Sequence, residues 1–256
     1  MDILGTDYDT WAGIYDSVYS YVQEDIPFYV DMAKLHGGPV LELGCGTGRV
    51  TIPVAGTGTE IVGIDNSRAM LDVARNKVDH LQNLKFIHGD MRDYELGRKF
   101  NLITLPFRGF LSLLTIEDQK STLFNIRRHL SPGRLLIFNI FVPDLDMLVQ
   151  EGDVQYYQRD VTDPVSGENM IIYHQSTYDN HNQIINGRLI VEKLDSHRCL
   201  TQKLYRDFQL RYSYRWEVQH LLESSGFKIV ELFGDFDGSE FDEDSTEMIW
   251  MVTPVQ

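Results

Sequence analysis

A chain of 256 residues with 43% hydrophobic content has the size of one α/β domain with an embellishment, and enough apolar material for a sizeable core. Its formal net charge of −15 opposes a nucleic-acid backbone as substrate and suits a small neutral or cationic partner. Cys45 and Cys199 make no disulfide framework and suit the reducing cytoplasm, Met1 to Thr10 has three aspartates and no base and so does not read as a signal peptide, and no 18-residue apolar run exists to span a membrane.

The N-terminal segment carries Tyr8, Trp11, Tyr15, Tyr19 and Tyr21. Such a set either packs a helix onto a sheet or offers ring faces to a cation. From Val40 an apolar run ends in Glu42-x-Gly44-x-Gly46-x-Gly48, and a helix-like segment begins at Arg49. A strand turning sharply into a helix needs residues without Cβ where backbone approaches backbone or ligand, and its free amides can hold a polar group. A dinucleotide fingerprint wants its third glycine three residues after the second. Here that position is Arg49 and the glycine falls one residue early, at Gly48, so the nicotinamide reading is demoted. Cys45 reads as a small packing residue, because no His–Asp partner lies nearby.

Glu60 to Asp65 reads as a second buried strand ending in an acid about 20 residues beyond the first glycine, where a carboxylate can accept ribose hydroxyls. Ser67 is placed to cap the helix that follows. A third strand, Lys85 to His88, runs into Gly89-Asp90-Met91, and a fourth, Phe100 to Leu105, into Pro106-Phe107-Arg108-Gly109-Phe110. A helix over Glu117 to Leu130 and a fifth strand over Leu135 to Phe141 follow.

Residues 151–212 then change character. Four β-rich stretches, Gln155 to Val161, Met170 to Tyr178, Ile184 to Leu194 and Leu200 to Tyr212, are broken by hairpin-type segments at Asp163–Gly167 and Asp179–Asn182. A helix over Tyr214 to Ser225, closed by Gly226, and strands over Phe227 to Phe233 and Met248 to Val252 end the chain, with the acidic run Asp235 to Glu247 read as a solvated loop.

The motifs over roughly residues 38–142, in order and spacing, resemble those of class I S-adenosylmethionine-dependent methyltransferases. The fold this implies is α/β: a Rossmann-like, mostly parallel seven-stranded sheet with an antiparallel last strand, plus an inserted small antiparallel sheet. The domains expected are 1–150 for the N-terminal helices and donor-binding core, 151–212 for the inserted sheet, and 213–256 for the end of the core sheet. The N-terminal phrase Tyr8 to Asp16 resembles the first helix of small-molecule members, in which the tyrosine matching Tyr15 covers the donor. The whole is similar to amino-sugar N,N-dimethyltransferases and glycine/sarcosine N-methyltransferases. The resemblance implies S-adenosyl-L-methionine as donor and S-adenosyl-L-homocysteine as product. It places the methionine end at Gly44–Gly48 and the ribose on Asp65. The adenine lies between Asn66 or Met70 and Asp90-Met91, and the loop after Leu105 faces the transferable methyl. Tyr15, Glu42, Cys45, Arg49 and Leu105 complete the implied donor set.

Methyl transfer is an in-line displacement, and positioning can supply ~7–11 kcal/mol of the barrier. An amine acceptor must be neutral; a hydroxyl acceptor benefits from a base, for which His174, His181 and Tyr173 are candidates. Tyr15 is a further catalytic candidate, and Arg108 is available to orient an anionic substrate. The eight histidines show no paired metal-ligand spacing, so no metal is expected. The loop sequence of DNA amino-methyltransferases is absent at Leu105–Arg108. A small-molecule acceptor is therefore expected, without nucleic acid or membrane. The inserted sheet then serves as a lid, with Tyr173, His174 and Arg188 meeting the acceptor, or as a homodimer surface. A competing class is a scaffold that keeps the donor pocket without turnover.

Overall fold

The structure, a computed structural model, describes residues 8–78, 80–163 and 166–255. The opening residues of the N-terminal stretch and Pro164-Val165 of the first expected hairpin break lie outside the described residues. Contacts divide the chain into two units, one of residues 23–142 and 213–256, the other of residues 1–22 and 143–212.

The first unit is a seven-stranded sheet flanked by helices. In chain order it holds α2 (Asp25–His36), β1 (Val40–Leu43), α3 (Thr51–Gly56), β2 (Ile61–Asp65), α4 (Arg68–Asn76), β3 (Leu84–His88), β4 (Phe100–Leu105), α5 (Ile116–His129), β5 (Leu130–Phe141), α7 (Arg215–Ser224), β10 (Phe227–Phe233) and β11 (Glu247–Pro254). The strand order is β10-β11-β5-β4-β1-β2-β3, with β11 antiparallel to both neighbours. Strands covered on both faces need near-continuous apolar runs, and β1 and β4 supply them as Val-Leu-Glu-Leu and Phe-Asn-Leu-Ile-Thr-Leu. The edge strands β3 and β10 open toward solvent. Phe28 and Tyr29 of α2 join Val40, Val54, Ile61, Leu102, Ile137 and Ile249 in one core. Ser67 caps α4 by accepting from the Met70 amide at 3.1 Å, and Thr115 caps α5. β5 begins earlier than the sequence suggests: Leu130 pairs with Phe100, residues 131–134 loop out, and Leu135 resumes opposite Leu102. From β1 the chain builds outward through β2 and β3, then returns to place β4 on the other side of β1. The switch point between β1 and β4, outside the strands' carboxyl ends, is where sheets of this kind hold ligands.

The second unit holds α1 (Tyr15–Val18), α6 (Leu145–Leu148) and a four-stranded antiparallel sheet, β6 (Tyr156–Thr162), β7 (Asn169–Asp179), β8 (Ile184–Leu194) and β9 (Leu200–Arg211), in that order. The N-terminal aromatics pack here. Trp11 lies edge-on to Phe208, with ring centroids 6.3 Å apart, and parallel to Tyr19 at 6.4 Å. Gly187 makes room for Phe208 directly across from it: a Cβ there would fall 2.2 Å from the ring. Arg159 of β6 sets its guanidinium 3.5 Å from the Tyr21 ring centroid and donates to the Val18 carbonyl.

Candidate active site

The turn after β1 requires glycine at three places. Gly44, Gly46 and Gly48 have φ of 67°, 53° and 81°, in the left-handed region that L side chains rarely adopt. Their surroundings differ. A Cβ at Gly48 would meet Ile52 at 2.8 Å and Phe86 at 3.2 Å, so that glycine serves packing. A Cβ at Gly46 would meet nothing within 4 Å: the backbone there faces open space. Cys45 points the other way, buried with its Sγ 2.8 Å from where a Cβ on Gly63 of β2 would stand. Burial pushes its thiol pKa up, as fits a packing residue and not a nucleophile.

Asp65 ends β2 and ties two loops together. Its Oδ2 accepts from the Gly46 amide at 2.7 Å and its Oδ1 from the Ser67 amide at 2.8 Å. The carboxylate thus fixes both the glycine turn and the start of α4. Met70 of α4 is buried, and the neighbouring Asn66 is exposed with its carbonyl 3.1 Å from His88 Nε2. The loop after β3 closes on the same turn, with Met91 Cε 3.4 Å from the Cβ position of Gly44. Asp90 beside it is held by Arg92, which bonds both of its oxygens and holds its carboxyl pKa below the usual range.

Beneath the turn lies Glu42. It is buried, accepts from Thr51 Oγ1 at 2.8 Å, and has its pKa pushed up to about 8 by burial, against the lowering effects of that hydrogen bond and of Arg49. Arg49 makes a two-pronged ion pair with buried Asp25 of α2, at 2.5 and 2.7 Å, and its guanidinium lies 4.9 Å from the Phe107 ring centroid.

The loop after buried Leu105 is strained. Phe107 and Arg108 have φ of 53° and 61°, two successive non-glycine residues in the left-handed region. Such outliers persist where neighbours over-determine them and cluster at functional sites. Here Arg49 lies against Phe107, and Arg108 is paired with Glu247 through Nη2 and, at 3.0 Å, through Nε. Asn139 of β5 donates to Glu247 at 2.9 Å and accepts from the Tyr29 hydroxyl at 3.1 Å and the Arg108 amide at 3.4 Å. Two sequence expectations change. Glu247 is not part of a solvated loop but the buried first residue of β11. Arg108 is not a free cation waiting for an anionic substrate, because that carboxylate already holds it. Asp25, Tyr29, Asn139 and Glu247 were not singled out from the sequence. The one available signal was an acid standing immediately before the apolar run Met248–Val252.

The remaining candidates lie in the other unit. Tyr15 begins α1, its ring 4.8 Å from that of Tyr19. His174 of β7 stacks on Tyr156 at 5.3 Å; its Nδ1 is buried without a hydrogen-bond partner, and burial lowers its pKa. Tyr173 is its chain neighbour on the same strand and so faces the opposite side of the sheet. Arg188 shares that opposite side and pairs with Asp207 at 2.6 Å. His181 sits in the exposed turn between β7 and β8. Among the described residues no three His, Cys, Asp or Glu side chains gather as a metal site, and no helix is long and apolar enough to cross a membrane.

A glycine turn with open backbone at Gly46, an acid at the end of the next strand and a closing third loop, all at a topological switch point, define the class of Rossmann-like proteins that bind adenosyl ligands. Residues 40–133 match the methyltransferase domain family. The cypemycin N-terminal methyltransferase of a Streptomyces species is 27% identical over 216 residues, spanning 84% of this chain and 82% of that protein. In fold, the chain is similar to the CcbJ methyltransferase of Streptomyces caelestis, with a TM-score of 0.83 and 23% identity over 98% of this chain and 99% of that one. It is also similar to S-adenosylmethionine-bound CalS10, an amino pentose methyltransferase of Micromonospora echinaspora, with a TM-score of 0.73 and 19% identity over 94% and 97% of the two chains. Residues 40–133 thus form a methyltransferase domain, and the chain as a whole has the fold of S-adenosylmethionine-dependent methyltransferases. Its cofactor is S-adenosylmethionine, and the open backbone above Gly46 fits a ligand at the turn.

Proposed function

We propose that this enzyme methylates a nitrogen or oxygen atom of a small molecule, with an amine the favoured acceptor, by in-line displacement in a closed pocket in the cytoplasm. The observation that carries this reading is the crevice at the β1–β4 switch point, where open backbone at Gly46 stands beside the Asp65 carboxylate. Bound there, S-adenosylmethionine supplies an electrophilic methyl group on a sulfonium.

The chain's own part is positional. Asp65 orients the ribose, the turn Gly44–Gly48 takes the methionine end, and Asn66, Met70, Asp90 and Met91 flank the adenine. The pinned Phe107–Arg108 loop holds the wall beside the methyl in one conformation, which lowers the entropy cost of alignment. An amine acceptor fits the names of two of the similar proteins, an N-terminal methyltransferase and an amino pentose methyltransferase. His174 is the candidate base. A lowered pKa leaves its imidazole neutral near pH 7, and its unpartnered Nδ1 can take a proton.

The test is a reaction with S-adenosylmethionine and a panel of amino sugars, amino acids, peptides with free N-termini and matched hydroxyl compounds. The expected result is S-adenosylhomocysteine together with a product heavier by one methyl group, on nitrogen by fragmentation. Donor binding without turnover across the whole panel would contradict a small amine acceptor.

A further inference from the structure

The loop after β4 has a backbone that its residues do not favour. The Gly109 amide donates to the Pro106 carbonyl at 3.1 Å, so residues 106–109 close a tight turn. Both central residues, Phe107 and Arg108, are left-handed, a turn geometry that selects Gly, Asn or Asp. Two bulky side chains stand there instead, and each is gripped. The two grips trace back to one turn of one helix.

Asp25 and Tyr29 lie four residues apart on α2, on one face of it, and both are buried, at 2% and 1% exposure. From Asp25 one arm runs to Arg49, held by two hydrogen bonds, and from the Arg49 guanidinium to the Phe107 ring. From Tyr29 a second arm runs through its hydroxyl to Asn139 Oδ1 at 3.1 Å. The same oxygen accepts from the Arg108 amide at 3.4 Å, and Asn139 Nδ2 donates to Glu247 Oε2 at 2.9 Å. Glu247 closes the arm by accepting from Arg108 Nε at 3.0 Å. The turn's own residues disfavour positive φ, so the arms are what hold it. The held turn stands beyond the end of β4, and the glycine turn beyond the end of the adjacent β1, so the two flank the switch point.

We propose that Tyr29 and Glu247 are positioning residues for methyl transfer. Acting through Asn139 and Arg108, they hold residues 106–109 as a fixed wall beside the reacting end of the donor. The inference rests on the donor lying at the glycine turn, as proposed above.

Calorimetry of the full chain with two donor-site ligands tests it. S-adenosylhomocysteine lacks the transferable group. Sinefungin carries a protonated amine where the sulfonium methyl would stand, and so reports on the wall beside it. In the ratio of their dissociation constants the adenine, ribose and methionine contacts cancel. Glu247→Gln keeps the side chain's size but removes the charge that pairs with Arg108. It should leave S-adenosylhomocysteine affinity within about twofold and weaken sinefungin by about fivefold or more. Tyr29→Phe removes one hydroxyl without changing the packing, and should shift the ratio in the same direction by about twofold. That second variant decides the matter if Glu247→Gln does not fold. An unchanged ratio in the folded variants would overturn the proposal. So would equal weakening of both ligands, which marks a general support of the fold. A wild type that binds neither ligand would instead contradict the donor site itself.

Discussion

The donor end of the seven-stranded sheet and the face of the four-stranded sheet hold polar groups by different means. At the donor end the groups stand on loops beyond strand ends, and backbone amides fix them: Gly46 and Ser67 grip Asp65, and the turn exists because three residues lack a Cβ. On the four-stranded sheet they stand along strands and are placed by register alone, so that Tyr173 and His174, adjacent in the chain, serve opposite faces. A loop site concentrates its chemistry in a few residues with special conformations. A strand-face site spreads it over a pattern in which each residue looks ordinary.

Glycine substitutions separate the two regions most sharply. Gly46→Val places a branched side chain at φ 53° in the open space above the turn. It should weaken S-adenosylmethionine binding more than about a hundredfold by calorimetry, with helix content nearly intact. Gly187→Ala, on the four-stranded sheet, drives a methyl into the Phe208 ring. It should cost about 1–3 kcal/mol of stability in a denaturant titration while the folded protein still binds the donor. If Gly187→Ala abolished donor binding in folded protein, or Gly46→Val left it normal, the division of labour would fail.

Glu42 tests the buried side of the donor end. Its pKa in the folded protein, about 8, lies above its unfolded value of about 4.3. The folded state therefore holds the proton more tightly. The stability this confers is complete below about pH 4.3 and is lost as pH rises through about 8. Glu42→Gln removes that titration and should gain roughly 2–4 kcal/mol on the wild type between pH 5 and pH 8. Parallel stability curves for the two proteins would show that Glu42 is already ionised. The smallest expected effect is at His174, where replacement by Phe should leave donor affinity within about twofold, since the residue belongs to the other sheet.

Much of the glycine turn and of the loops around it was legible in the chain. The glycine spacing, Asp65 about 20 residues on, and the acid-bearing loop after β3 are local signals with local causes. Strand limits were equally clear where apolar runs were continuous: Phe100–Leu105, Ile184–Leu194 and Phe227–Phe233 fall where the pattern puts them. The support beneath the site was not legible. Asp25 with Arg49, and Glu247 with Arg108 and Asn139, are partners from distant segments whose meeting depends on which strands and helices lie side by side. A charge at the end of an acidic run looks solvated until the sheet buries it.

The most direct measurement is calorimetric titration of S-adenosylmethionine into the wild type and Asp65→Ala. With Asp65 as the ribose acceptor and the tie between the two loops, the variant should lose about 1–3 kcal/mol of binding, a ten- to hundredfold weaker affinity, while remaining folded. Equal affinity in the two proteins would contradict the placement of the donor at this turn.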